Sequence, residues 1–159
     1  MIKVRLQIGN GEILDTIDEH SLVYLNSDTI FSPPLRAFES TKYPEEDGEN
    51  IHPVTVYEPF DYKVKFFVQA ESGVENANKK IAAFNQRLFS TAASGLKTFK
   101  RVAFYNDYKK VKIVGIPNLI SEVDKDDFWR DSDGRTTDVI CVEWSIHVDK
   151  PQDCDFNLL

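Results

Sequence analysis

In Asp61-Tyr62-Lys63-Val64-Lys65-Phe66-Phe67-Val68, the apolar residues Tyr62, Val64, Phe66 and Val68 alternate with Asp61, Lys63 and Lys65. Successive strand side chains point to opposite faces, so this segment predicts a β-strand with one apolar face, Phe67 being the exception on the other. Ser72-Gly73-Val74-Glu75 follows and matches a capping box, in which the Ser hydroxyl accepts from the Glu75 amide and the carboxylate reaches back to the Ser amide. Ala77, Ile81, Phe84 and Leu88 then recur at a spacing that makes one apolar stripe, with Asn78, Lys79, Lys80, Asn85 and Arg87 polar. The spacing predicts an amphipathic helix from about Gly73 to Leu88, packed on the sheet and ended by Ser94-Gly95.

Toward the N-terminus, Ile2, Val4, Leu6 and Ile8 alternate with Lys3, Arg5 and Gln7, and Gly9-Asn10-Gly11 precedes Glu12-Ile13-Leu14, which predicts a hairpin. Leu22-Val23-Tyr24-Leu25 reads as a third short strand, and Ser32-Pro33-Pro34 interrupts regular structure. Residues 39–53 are polar, include Tyr43-Pro44-Glu45-Glu46-Asp47-Gly48, and read as a long exposed loop and a candidate contact surface. Arg101 to Tyr105 and Val111 to Ile116 read as strands joined at Asn106-Asp107, with Pro117-Asn118 closing the second. Glu122 to Arg135 is Asp-rich and carries the Asp133-Gly134 turn signal, so it reads as a loop. In the last strand Ile140, Val142, Trp144, Ile146 and Val148 alternate with Cys141, Glu143, Ser145 and His147; the tail after residue 150 is expected to be peripheral. Residues 1–159 thus read as a single domain of α+β class, mainly β: a small split-barrel or β-barrel-like antiparallel sheet with one helix.

Lys plus Arg number 19 against 26 Asp plus Glu, a net charge of -7 with no basic stripe, which argues against nucleic acid as a partner. No apolar run is long enough to cross a bilayer, and the alternating N-terminus lacks a signal-peptide core, so no membrane partner and synthesis in a reducing cytoplasm are expected. Cys141 and Cys154 have no metal or redox spacing.

Asp131-Ser132-Asp133-Gly134 resembles part of a calcium loop, yet aligning Gly134 with the loop glycine puts Trp129 at the first acidic ligand and Ile140 at the final Glu. A solvated acidic turn is the better reading. His20, His52 and His147 lie far apart and share no ligand motif, and His147 reads as a surface or interface histidine. There is no nucleophile elbow, no phosphate loop and no activated Cys; Ser90 and Ser94 belong to the helix end, and Glu45-Glu46 lie on the loop, where solvent leaves them ordinary acidity. No catalytic, cofactor-binding or metal-ligating residues are assigned, and no cofactor is expected.

The order of the Tyr43 to Gly48 loop, Val54-Thr55-Val56, the strand Tyr62 to Val68, the helix to Leu88, Val102 to Tyr108, Lys110-Val111-Lys112-Ile113 and Val142-Glu143-Trp144-Ser145-Ile146 resembles the N-terminal domain of distal tail proteins of long-tailed bacteriophages. The resemblance covers most of the chain and rests on patterns of strands and helix. It implies a β-barrel-like domain with one helix, six copies of which form a ring joining tail tube to baseplate. It therefore implies a phage or prophage tail component in the virion tail, assembled in the bacterial cytoplasm, with itself (a hexamer) and other tail or baseplate proteins as partners. The chain lacks the Gly-Arg-x-Gly segment often found before the first long family strand, and it ends without the C-terminal sandwich some members use to hold receptor-binding proteins. Those departures argue against receptor-protein docking and leave a tube or tail-completion role open.

Two other classes remain. One is a carbohydrate- or peptide-binding module using Tyr43, Tyr57, Phe128 and Trp129. The other is an enzyme with dispersed catalytic residues, which would need a pocket with convergent titratable groups.

Overall fold

Two ten-residue antiparallel strands, Phe60–Gln69 and Val139–Val148, pair along their full length and form the spine of the molecule. The computed structural model describes residues 4–36, 40–41, 50–51, 56–69, 74–123 and 139–158. In chain order the strands are β1 (Arg5–Ile8), β2 (Leu14–Asp15), β3 (Val23–Ser27), β4 (Ser40–Thr41), β5 (Asn50–Ile51), β6 (Phe60–Gln69), β7 (Phe89–Thr91), β8 (Lys97–Phe99), β9 (Val102–Asn106), β10 (Val111–Pro117), β11 (Ser121–Glu122) and β12 (Val139–Val148). The helices are α1 (Thr16–His20) and α2 (Val74–Leu88), with a 3-10 turn at Pro151–Asp153.

The main sheet runs β2-β1-β9-β10-β12-β6-β3, all antiparallel, with β11 also paired to β12. β10 joins the two halves. Its first five residues pair with β9, and only Ile116 and Pro117 pair with β12, opposite His147 and Ile146. The sheet curls there, so Tyr62 and Phe66 of β6 come within 6.2 and 6.4 Å, ring to ring, of Phe104 on β9. The interior faces of both halves enclose one core, including Val4, Leu6, Val64, Phe104, Ile113, Trp144 and Ile146. The α+β, mainly β architecture read from the sequence is therefore the one observed.

α2 closes the open end of this curled sheet. Ala77, Phe84 and Leu88 are buried, and the Phe84 ring meets Trp144 edge-on at 5.4 Å. Ser72 and Gly73, half of the expected capping box, lie outside the described residues. α1 was not foreseen. Its N-cap is Asp15, whose carboxylate accepts from the Ile17 amide at 2.8 Å, and it ends at Ser21 in the left-handed region.

The exceptional Phe67 has a plain reason. On the outer face it stands opposite Cys141 on one side and Val23 on the other, and these three form a second small apolar cluster with Ile17, Leu25 and Val123 packed against it. β3 is shifted in register between Tyr24 and Asn26, and this bulge turns Ser27 inward. There its hydroxyl meets Tyr24 Oη at 2.8 Å and accepts from Tyr62 Oη at 2.9 Å.

Two expectations change. Ser94-Gly95 does not end α2, which stops at Leu88; Ser90 lies in β7, and Ser94 and Gly95 form the turn between β7 and β8. Pro117-Asn118 does close β10, and after residues 118–120 a separate short strand, β11, pairs with β12. The segment after residue 150 packs on the sheet instead of leaving it: Asp155 pairs with Lys112, and Cys154 and Phe156 lie against the core. Apolar residues at Cys154, Phe156 and Leu158 supply the reason. Most of the 39–53 loop and of the Asp-rich 122–135 segment lies outside the described residues; Ser40–Thr41 and Asn50–Ile51 form a short antiparallel ladder.

Candidate interaction surface

The helix α2 runs without a break into β7, and the chain doubles back along β8, pairing Phe89 with Phe99, Ser90 with Thr98 and Thr91 with Lys97. This two-stranded unit forms its own sheet, separate from the main one. Its base is pinned where the Lys100 amide donates to the Leu88 carbonyl at 2.9 Å. Its tip is a five-residue turn in which the Ala92 amide donates to Leu96 O and the Gly95 amide to Ala92 O. Gly95 has φ +85°, a conformation costly for any residue with a Cβ. An isolated two-stranded hairpin is marginal in water, so the arm depends on its base and on whatever covers its faces.

Between the arm and α2 lies an apolar groove of about 540 Å³, lined among others by Ala82, Gln86, Phe89, Lys97, Phe99 and Leu119. Leu119 reaches it because residues 118–120 leave the strand: Ile120 turns inward, its amide donating to Asn85 Oδ1 on α2 at 2.9 Å, and Leu119 turns outward. Leu96 is 70% exposed, Leu119 60% and Phe99 49%, a local concentration of uncovered apolar surface.

A second depression, of about 300 Å³, lies on the outer sheet face among Asn26, Ser27, Asp28, Lys63, Lys65 and Glu143. Burial pushes the Tyr62 hydroxyl beneath it up to about 12, so it is a proton donor to Ser27 and no base at neutral pH. His147 Nδ1 lies 2.8 Å from Asp61 Oδ1 on the exposed face, with no hydroxyl or thiol shown bonded to it. Burial raises the Cys154 thiol above its ordinary value, and its sulfur is engaged by the Val114 amide at 3.4 Å. His20, packed edge-on against Phe84 at 4.9 Å, is driven down to about 4, first by burial and then by Arg87. Arg101 grips Asp149 with two bonds of 3.0 and 2.8 Å and holds its carboxyl below the usual range. These are structural pairings.

Among the described residues no three His, Cys, Asp or Glu side chains are grouped to hold a metal. No described helix is long and apolar enough to cross a membrane. Of the aromatics proposed for a ligand platform, Tyr43, Phe128 and Trp129 lie outside the described residues; Tyr57 is half exposed and its backbone bridges Leu35. The arm and its groove were not foreseen. The signal in the sequence is Ser94-Gly95-Leu96-Lys97-Thr98-Phe99, in which the Ser94-Gly95 pair read above as a helix terminus is followed by an alternating run.

The architecture defines a class: a curled antiparallel sheet of mixed α+β type, one long helix closing its end. A particular solved example is the crystal structure of SPP1 Dit, described as a paradigm of the hub adsorption apparatus in phages infecting Gram-positive hosts, to which the chain is similar with a TM-score of 0.60 at 11% identity. The match covers 93% of this chain and 50% of that one, so the chain spans half the length of its structural neighbour. At this identity the likeness is one of fold. No protein-family model matches the chain, and no curated protein does.

Proposed function

We propose that the chain is a structural subunit of a phage or prophage tail, of the distal-tail or baseplate-hub type, and that it has no catalytic activity. One observation carries this reading: the fold likeness to SPP1 Dit extends over nearly the whole chain, an extent that a shared hairpin or sheet fragment would not produce. The subunit assembles as a homo-oligomeric ring, a hexamer, through strand edges and loops, and contacts other tail or baseplate proteins in the virion tail after assembly in the bacterial cytoplasm. The sheet ends in β2 and β3, whose outer edges can pair with another chain, and the arm adds two more short edges. A head-to-tail contact between identical subunits closes into a ring when its rotation permits. Negative-stain electron microscopy of the concentrated protein tests this: annular particles of uniform diameter are expected, and a field of monomer-sized particles at every concentration contradicts it.

A further inference from the structure

Phe31 is 87% exposed, more than any other large apolar side chain among the described residues. The segment that carries it is held in place. Ile30 before it packs against the core and Pro33 after it is buried, with φ fixed by the ring. Beyond them the Glu58 amide donates to the Pro34 carbonyl and the Arg36 amide to the Val56 carbonyl, both at 2.8 Å. That bridge also displays Leu35, Val56 and Tyr57, each about half exposed. The result is a fixed apolar knob, where the α2 groove is an apolar hollow.

Knob and groove belong to opposite ends of the β9–β10 hairpin. Phe31 borders a small cavity with Lys109 and Val111, at the turn between the two strands. The arm ends at Lys100, just before β9, and Leu119 follows β10 by two residues, so the groove lies at the other end, where Val102 faces Gly115. β10 is seven residues long, and at about 3.3 Å per residue it separates the two features by roughly 20 Å. Phe31 therefore does not reach the groove of its own chain.

We infer that Phe31 of one copy seats in the α2 groove of the next, so that knob and groove are the two halves of one heterologous contact. This rests on the ring reading above and names the residues that make the contact. A head-to-tail contact needs two different, complementary patches on separate parts of one surface, and a convex and a concave apolar patch at two ends of a hairpin meet that need. A two-fold contact would set groove against groove and leave both unfilled. At about 540 Å³ the groove admits a phenyl ring with a neighbour such as Leu35, and Phe89, Phe99 and Leu119 give it apolar walls. A buried aromatic in such a pocket is the kind of anchor that dominates an interface.

The test uses Phe31→Asp, which removes the knob, and Leu119→Asp, which spoils the groove. Both side chains are exposed, so both variants should melt like wild type; should either melt lower, Phe31→Ser and Leu119→Ser take their place. A central anchor is typically worth about 30-fold in affinity, so each variant alone should associate at least that much more weakly by light scattering over a concentration series. Mixed, they should recombine, because the first keeps its groove and the second its knob. Such a pair makes one good contact and no more. An equimolar mixture should therefore give dimers, at twice 18.2 kDa, where each variant alone is a single chain and wild type is larger.

Wild-type assembly with either variant unaffected overturns this inference and leaves the ring reading standing. So does a mixture that stays monomeric, since knob and groove would then serve different contacts. A wild-type chain that is monomeric at every concentration overturns the ring reading itself, and this inference with it.

Discussion

Gly115 passes so close to the backbone of His147 that a Cβ placed on it would overlap the His147 carbonyl oxygen and stand 2.9 Å from Cγ2 of Ile146. This is the point where β10 leaves β9 and joins β12, so the curl that encloses the core depends on a residue with no side chain. The obstruction is backbone, which cannot swing aside as the end of a flexible side chain can.

Gly115→Ala should therefore lower stability by about 1–3 kcal/mol through overpacking at the junction, in spite of the usual gain from removing a glycine. Urea unfolding checks it: a lower midpoint with an unchanged slope is expected. An unchanged midpoint would mean that the two half-sheets can separate at no cost.

Phe84→Ala should cost about 3–5 kcal/mol, because the ring is fully buried and its removal leaves a cavity that Trp144 and His20 do not fill. Both helices lose their shared contact. A shift in the fluorescence of Trp144 should accompany the loss, read against the second tryptophan, Trp129.

Acid should destabilise the protein in two separate windows. His20 takes up its proton at about 4 in the folded chain and at 6.5 when unfolded, since burial and Arg87 oppose the charge more strongly than Glu19 favours it. Stability is then flat above pH 6.5, falls as pH drops from 6.5 toward 4, and levels off below. Asp149, held low by Arg101, contributes stability that is present above its ordinary 3.8 and lost as pH falls below it. His20→Gln, which retains an acceptor for Arg87, should flatten the first window only, as read from urea midpoints across pH.

Tyr62→Phe should cost about 1 kcal/mol, the net worth of one buried hydroxyl contact, because Ser27 keeps its bond to Tyr24. Ser27→Val should cost more, leaving both tyrosine hydroxyls unpaired in the interior. Thermal melting of the two variants and the double variant separates the terms.

Period-two patterns made the long strands legible: β6, β9, β10 and β12 each lie within two residues of where alternation puts them, and the α2 stripe of Ala77, Phe84 and Leu88 faces the core as its spacing requires. α1 escaped because five residues hold too little periodicity, although Asp15 and the acidic Asp18 and Glu19 mark its start. The β7–β8 arm escaped for the opposite reason: Ser94-Gly95 is as good a helix terminus as it is a hairpin turn, and only pairing across it, Phe89 with Phe99, distinguishes the two. The inward turn of Ser27 follows from a bulge that alternation does not announce. The interaction surface was illegible because an apolar residue such as Leu119 reads as core until the chain around it is seen to leave the strand.

Molar mass in solution, measured by light scattering on the wild-type chain from low to high concentration, bears most directly on the claim that this is a ring-forming tail subunit. The account predicts a discrete species at a fixed multiple of 18.2 kDa, six-fold for a hexamer, growing in as concentration rises. A mass of one chain throughout the series would contradict it.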